Sequence, residues 1–323
     1  MFVGTNRFEN CRLGAMLRVN DFFSSHLSVL KLNWLLNEHS SEAVISGEAQ
    51  ESADLVGHLN LIHPYRIQVF GEPEVKYFND LDTRRRKYLS AELFAAKPPA
   101  IIIAENQIPP EEIFLACDRG NVPLFSTESS AARIIEKLRI LISKTLAPKE
   151  TRHGVFMDVL GLGVLISGES GLGKSELGLE LLTRGHGLVA DDAVELTRVT
   201  NDVIEGRSPE LLRDVIEVRG LGLLNIRTIF GESSVRRKLR LRLIVQLIRR
   251  SLINDYDRLP LEALYEEILG LKIKKVIIPV SAGRNIAVLV EAAVRNTVLQ
   301  LRGIDTMKEF MEKQRKAIKK SEA

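Results

Sequence analysis

Eight consecutive residues, Gly168-Glu169-Ser170-Gly171-Leu172-Gly173-Lys174-Ser175, carry the clearest chemistry in this chain of 323 residues. They fit G-x-x-x-x-G-K-[ST], a loop whose backbone N–H groups wrap the phosphates of a nucleotide. The apolar run Gly163-Val164-Leu165-Ile166 before it reads as a buried strand. Ser175 to Arg184 after it reads as a helix with Leu177, Leu181 and Leu182 on one side. Strand, glycine loop and helix are what phosphate binding requires, because glycines let the backbone bend close to the anion and the helix turns its positive end toward it. In such a loop Lys174 reaches the β- and γ-phosphates and the Ser175 hydroxyl ligates magnesium. The chain is expected to bind a nucleoside triphosphate or a similar polyphosphate.

The loop alone does not separate a kinase from an ATPase or a GTPase, and four further clusters narrow the chemistry. Asp191-Asp192 follows the apolar run Leu188-Val189-Ala190. A carboxylate there holds a metal or accepts a proton from an attacking hydroxyl, and two adjacent ones permit both. His153-Gly154 precedes the strand of the loop, and a histidine near an aspartate orients it or helps set its protonation. Ile216-Glu217-Val218-Arg219-Gly220-Leu221-Gly222-Leu223-Leu224-Asn225 sets a carboxylate and a guanidinium beside two glycines, so that Glu217 is a candidate to complete a magnesium shell. Asp257-Arg258-Leu259 and Ser281-Ala282-Gly283-Arg284-Asn285 offer arginines on loops, suited to the charge of a transferring phosphoryl group.

The elements that position these residues follow from periodicity and punctuation. In the first half, Val19 to Leu36 has helical spacing with a cap at Asn20 or Asp21. Tyr65 to Phe70 alternates as a strand, and Ala100 to Ala104 is a short β-branched strand. A helix runs from Pro109-Pro110 to about Asp118, and Val122 to Phe125 is another strand. Thr127 to Leu146 is a longer helix capped at Thr127 or Ser129. That alternation is the signature of a small α/β domain. Pro148-Lys149-Glu150-Thr151-Arg152 reads as a polar connector, which places domains at 1–147 and 148–323. In the second half, Leu239 to Leu247 reads as a strand with one buried face after a polar, hairpin-like region. Val276 to Val280 reads as another strand, and helices from Ala287 to Leu301 and Asp305 to Ile318 close the chain.

The bulk properties narrow the class. Hydrophobic content of 45% and charged content of 27% are those of a soluble globular protein, and a net charge of +3 gives no reason to expect nucleic acid. Cys11 and Cys117 show neither metal-ligand spacing nor a disulfide framework. No run approaches the ~18 apolar residues of a membrane span, and Met1 to Arg12 lacks the pattern of a leader. A cytoplasmic protein without membrane partners is expected.

Taken together, these residues resemble the HPr kinase/phosphorylase family. The resemblance is carried by His153-Gly154, the loop GESGLGKS, the run from Arg184-Gly185-His186 to Asp191-Asp192, IEVRGLGLLN and Gly283-Arg284-Asn285. It implies an enzyme that phosphorylates a serine of the carrier HPr, or of an HPr-like paralogue, from ATP or pyrophosphate with Mg2+. In reverse, inorganic phosphate attacks the phosphoserine and releases pyrophosphate. It further implies a homohexamer, an amino-terminal α/β domain resembling that of Mur ligases and a P-loop kinase domain resembling phosphoenolpyruvate carboxykinase. By that resemblance Gly168 to Ser175 hold the donor, and Ser175 and Glu217 ligate magnesium. One aspartate of the pair moves the proton: Asp192 is preferred, with Asp191 nearer the metal, although spacing does not choose between them. His153 and Arg258 complete the site. Pro279, Val280, Ser281, Ala282, Gly283 and Arg284 correspond to the region tied to dephosphorylation, and Ser281-Ala282 stands where many relatives carry a basic residue.

Three rival readings carry different requirements. A small-molecule kinase of the phosphoenolpyruvate-carboxykinase type needs a pocket of convergent arginines and a metal-binding lysine and histidine, and that set is not assembled here. A nucleotide-binding regulator without catalysis needs only the loop and a metal ligand, which leaves Asp191-Asp192, His153 and Arg258 unexplained. A kinase with weakened phosphorylase activity keeps the whole constellation and differs only at Ser281-Ala282.

Overall fold

The computed structural model describes residues 17–38, 43–45, 55–249, 263–281 and 283–321. The chain divides into two compact units, Met1–Ala147 and Pro148–Ala323.

The first unit starts with β1 (Leu17–Arg18), α1 (Val19–Leu30), β2 (Leu32–Leu36), β3 (Val44–Ile45) and β4 (Val56–His58). It continues through β5 (Ile67–Phe70), α2 (Glu72–Asp80), α3 (Thr83–Ala95), β6 (Ile101–Ile103), α4 (Glu111–Gly120), β7 (Leu124–Thr127) and α5 (Ala131–Leu146). β4 to β7 are parallel neighbours, and among the described residues β2 adds antiparallel to β7 at the edge of a five-stranded sheet. Every residue of β6 is buried, as a strand covered on both faces requires. Two apolar clusters flank the sheet, one holding Phe22, Phe23, Ile102 and Ile134, the other Phe70, Phe78, Ile101 and Ile113.

Two local expectations fail here. The helical pattern from Val19 does not reach Leu36: α1 ends at Leu30, Lys31 turns the chain with φ 55, and Leu32–Leu36 becomes a strand on β7. The apolar residues of the strand mimic helical spacing over so short a run, and a non-glycine turn gives no warning of the break. Helix capping also differs. Arg18 rather than Asn20 or Asp21 precedes α1. Ser130 precedes α5, while the Thr127 hydroxyl donates to the Lys31 carbonyl and accepts from the Ser129 N–H.

The second unit contains β8 (Lys149–His153), β9 (Val155–Val159), β10 (Leu162–Gly168), α6 (Lys174–Thr183), β11 (Gly187–Ala190), β12 (Ala193–Thr200) and β13 (Val203–Arg207). After these come β14 (Val215–Val218), β15 (Gly222–Asn225), α7 (Ile226–Phe230), β16 (Lys238–Arg249), β17 (Leu264–Ile268), β18 (Leu271–Val280), α8 (Ile286–Leu301) and α9 (Thr306–Ser321). Among the described residues, nine strands form one sheet with path β11-β9-β10-β16-β13-β12-β8, with β18 also on β16 and β17 on β18. The polar segment read as a connector is therefore β8, paired antiparallel to β12. An all-polar edge strand with alternate residues exposed carries no apolar signal that would separate it from a linker.

β10, β16 and β18 run parallel, and β11 shares their direction because both β11 and β10 are antiparallel to β9. Four carboxyl ends thus emerge at one edge, the usual place for ligands on an open parallel sheet. β16 is buried on both faces at its centre rather than on one. Leu243, Val245 and Leu247 pack with α6 and α8 residues such as Leu181 and Val290, and Leu241 and Ile244 pack with Phe156 and Leu196.

Candidate functional site

The phosphate loop leaves β10 at Gly168 and enters α6 at Lys174. Gly168 has φ 146, and a Cβ there would lie 2.6 Å from the Leu247 carbonyl oxygen, so only glycine passes this point without displacement. Gly173, with φ 79, precedes the helix, and no side chain caps the helix start. Lys174 Nζ donates to the carbonyls of Gly168 at 3.0 Å and Glu169 at 2.9 Å, folding its ammonium over the loop. Beside the loop, at the end of β16, Arg249 Nε lies 3.3 Å from Glu169 Oε2.

The Ser175 hydroxyl donates to the Asp191 carboxylate at 3.1 and 3.3 Å. Asp191 is 4% exposed, and its Oδ2 also accepts the Glu217 N–H at 2.9 Å. Burial pushes the Asp191 carboxyl above its ordinary range, while the Glu217 N–H and the Ser175 hydroxyl pull the other way. Asp192 adopts φ 63. That left-handed residue turns the chain, and its carboxylate is 73% exposed, in contrast to its buried neighbour. His153 Nδ1 lies 3.7 Å from Asp192 Oδ1. The approach is built by the sheet: His153 pairs with Ala193 across β8 and β12, and the Gly154 N–H donates to the Asp192 carbonyl at 3.0 Å.

β14 and β15 form a hairpin that carries Glu217, with Ile216 and Val218 buried beneath it. Gly178 of α6 admits this packing, since a Cβ there would meet Ile216 and Val155 at 3.2 and 3.1 Å. Lys174, Ser175, Asp191, Asp192, His153 and Glu217 are thus held around one loop.

Pro279 and Val280 end β18 opposite Ile248 and Arg249. Ser281 accepts the Arg284 N–H at 3.3 Å, and Asn285 caps α8 through Val288 N–H. This loop leaves the same sheet edge as the phosphate loop, with β16 between them. Arg258 and Ala282 lie outside the described residues. Arg184 and His186 do not enter the site. Both bond to Glu291 of α8, at 2.8 and 2.9 Å, and hold its carboxyl down to about 2. The Glu169–Arg249 pair was not legible in the sequence, because two charges 80 positions apart show no pattern until β10 and β16 are paired.

Ser175, Asp191 and Glu217 are hard oxygen donors, which suit magnesium, an ion bound by one or two protein groups with phosphate and water filling the rest. Among the described residues no three His, Cys, Asp or Glu side chains form a metal cage. No described helix is long and apolar enough to cross a membrane.

Strand, glycine loop and helix, with a lysine and a serine opening the helix, define a phosphate-loop protein. Residues 144–314 match the family model described as HPr Serine kinase C-terminal domain, and residues 17–142 match HPr Serine kinase N terminus. The chain belongs to the HPr serine kinase family. The HPr kinase/phosphorylase of Bordetella pertussis is 56% identical over 306 residues, spanning 95% of this chain and 99% of that relative. The HPr kinase/phosphorylase of Burkholderia cenocepacia is 55% identical, spanning 94% and 95%. Among solved structures, the Hpr(Ser) kinase/phosphatase from Coxiella burnetii is 35% identical with a TM-score of 0.45, covering 50% of this chain and 98% of that one.

Proposed function

We propose that this protein transfers a phosphoryl group from ATP or pyrophosphate to a serine of HPr or an HPr-like paralogue. In reverse, inorganic phosphate takes the phosphoryl group from phosphoserine and leaves as pyrophosphate. Membership of the family and the names of the relatives support the reaction class. The observation that carries the site assignment is the split of the acid pair: Asp191 is buried against Ser175 while Asp192 is exposed beside His153.

In this reading the loop N–H groups and Lys174 hold the phosphate chain. Asp191 orients Ser175, and Ser175 and Glu217 would hold a magnesium ion, whose charge would offset that of the donor phosphates. The exposed Asp192 accepts the proton of the serine hydroxyl as that oxygen attacks, and returns it in the reverse direction. His153 orients the Asp192 carboxylate, and Arg258 stabilises the transferring group. Pro279 to Arg284, at the neighbouring strand end, serve the phosphorolysis step. Residues 148–323 form the catalytic domain, with a core like that of phosphoenolpyruvate carboxykinase. Residues 1–147 form an α/β domain like that of Mur ligases, and the assembly is a cytoplasmic homohexamer.

The test is incubation of the purified chain with Mg2+, ATP and HPr, with mass analysis for a serine phosphate, then addition of excess phosphate while pyrophosphate is followed. Phosphorylation and pyrophosphate release are expected. Phosphorylation without release restricts the protein to a kinase, with Ser281 as the first position to restore. No phosphorylation of HPr or a paralogue overturns the assignment in favour of a nucleotide-binding regulator.

A further inference from the structure

We propose that Arg249 is a ligand of the terminal phosphate of the donor, parked on Glu169 and transferred to the phosphate when the donor binds. This rests on the reading of residues 168–175 as the donor site.

β16 is the middle strand of three parallel neighbours, with Gly168 of β10 registered on Leu247 and Val280 of β18 registered on Arg249. Arg249 therefore stands just beyond the start of the phosphate loop, on the strand between that loop and the one that begins at Ser281. Glu169 holds two cations at once. Its carbonyl accepts from Lys174 Nζ at 2.9 Å, and its carboxylate lies 3.3 Å from Arg249 Nε. Arg249 and the lysine ammonium thus both contact Glu169, the second residue of the loop, and that lysine serves the β- and γ-phosphates.

As a brace the pair is weak. The two side chains are 58% and 61% exposed, and ion pairs so open to water contribute little to stability. The same exposure makes exchange of partner easy. A terminal phosphate offers more charge than one carboxylate, and its oxygens match the planar fork of a guanidinium. Glu169 would then keep Arg249 near the loop without competing strongly for it.

Calorimetric titration of the full chain with ATP and with ADP, each with Mg2+, separates the terminal phosphate from the rest of the nucleotide. Arg249→Gln is expected to weaken ATP about tenfold and ADP less than about twofold, with Arg249→Lys in between. Glu169→Gln leaves the backbone carbonyl in place and removes the competing charge, so ATP is expected to bind a few-fold tighter. Equal weakening of both nucleotides by Arg249→Gln, or no change in ATP, overturns the inference. So does weaker ATP binding by Glu169→Gln, which would mark the pair as a brace that shapes the loop. If thermal melting shows that Arg249→Gln misfolds, the sign of the Glu169→Gln effect decides. Failure of the wild-type chain to bind either nucleotide sinks the donor-site reading, and the inference with it.

Discussion

The two units build the same device and use it differently. In each, parallel strands end side by side and helices start from their carboxyl edge. In the first unit the middle strand, β6, runs into Glu105, whose carboxylate accepts the Glu72 N–H at the start of α2 and the Ala131 N–H at the start of α5. The positive helix ends are satisfied from within, and those two N–H groups hold the Glu105 carboxyl below its ordinary range. In the second unit the middle strand, β16, ends in Arg249, α6 starts at an uncapped glycine, and Lys174 adds another cation. Glu169 pairs with Arg249, and Glu176 stands in the first turn of α6. A helix end closed by its own carboxylate stabilises a fold, whereas one left open among cations is a place for an anion.

The comparison can be broken or sharpened by substitution. The largest effect is expected from Lys174→Ala, which should lower the rate in both directions by at least about a hundredfold, because both require a held phosphate chain. Assays of phosphorylation and phosphorolysis on the same preparation check this, and survival of either direction would mean that the two reactions do not share the loop. Next is Asp192→Asn, expected to lower kcat about a hundredfold while ATP affinity is kept. Loss of nucleotide binding instead would move Asp192 from proton transfer to holding the donor.

The smallest effect is expected at the closed edge. Glu105→Gln should cost about 1 kcal/mol of stability at neutral pH, read from thermal unfolding, with ATP affinity unchanged. The sign of its pH dependence follows from the lowered carboxyl. The stabilisation is full above the ordinary glutamate value of about 4.3 and is lost as pH falls through the lower folded value. The melting-temperature gap between wild type and Glu105→Gln should therefore close on acidification. A gap that widened instead would show that the carboxylate does not cap these helices in its charged form.

The sequence by itself determined the phosphate loop with its strand and helix, the buried run of β6 and the strand at the end of β18, since these depend on local patterns of glycine, apolar run and polar break. It also nominated Asp191, Asp192, His153 and Glu217, but as scattered residues with the order of the acid pair undecided. Only the tertiary structure separated the two carboxylates by environment. The left-handed turn at Asp192 buries one carboxylate against Ser175 and Glu217 and exposes the other to His153. It also converted the polar connector into β8, which delivers His153, and brought Arg249 beside Glu169. Each of these depends on which strands pair and in what register. Pairing joins residues tens of positions apart through backbone bonds that side-chain patterns do not encode.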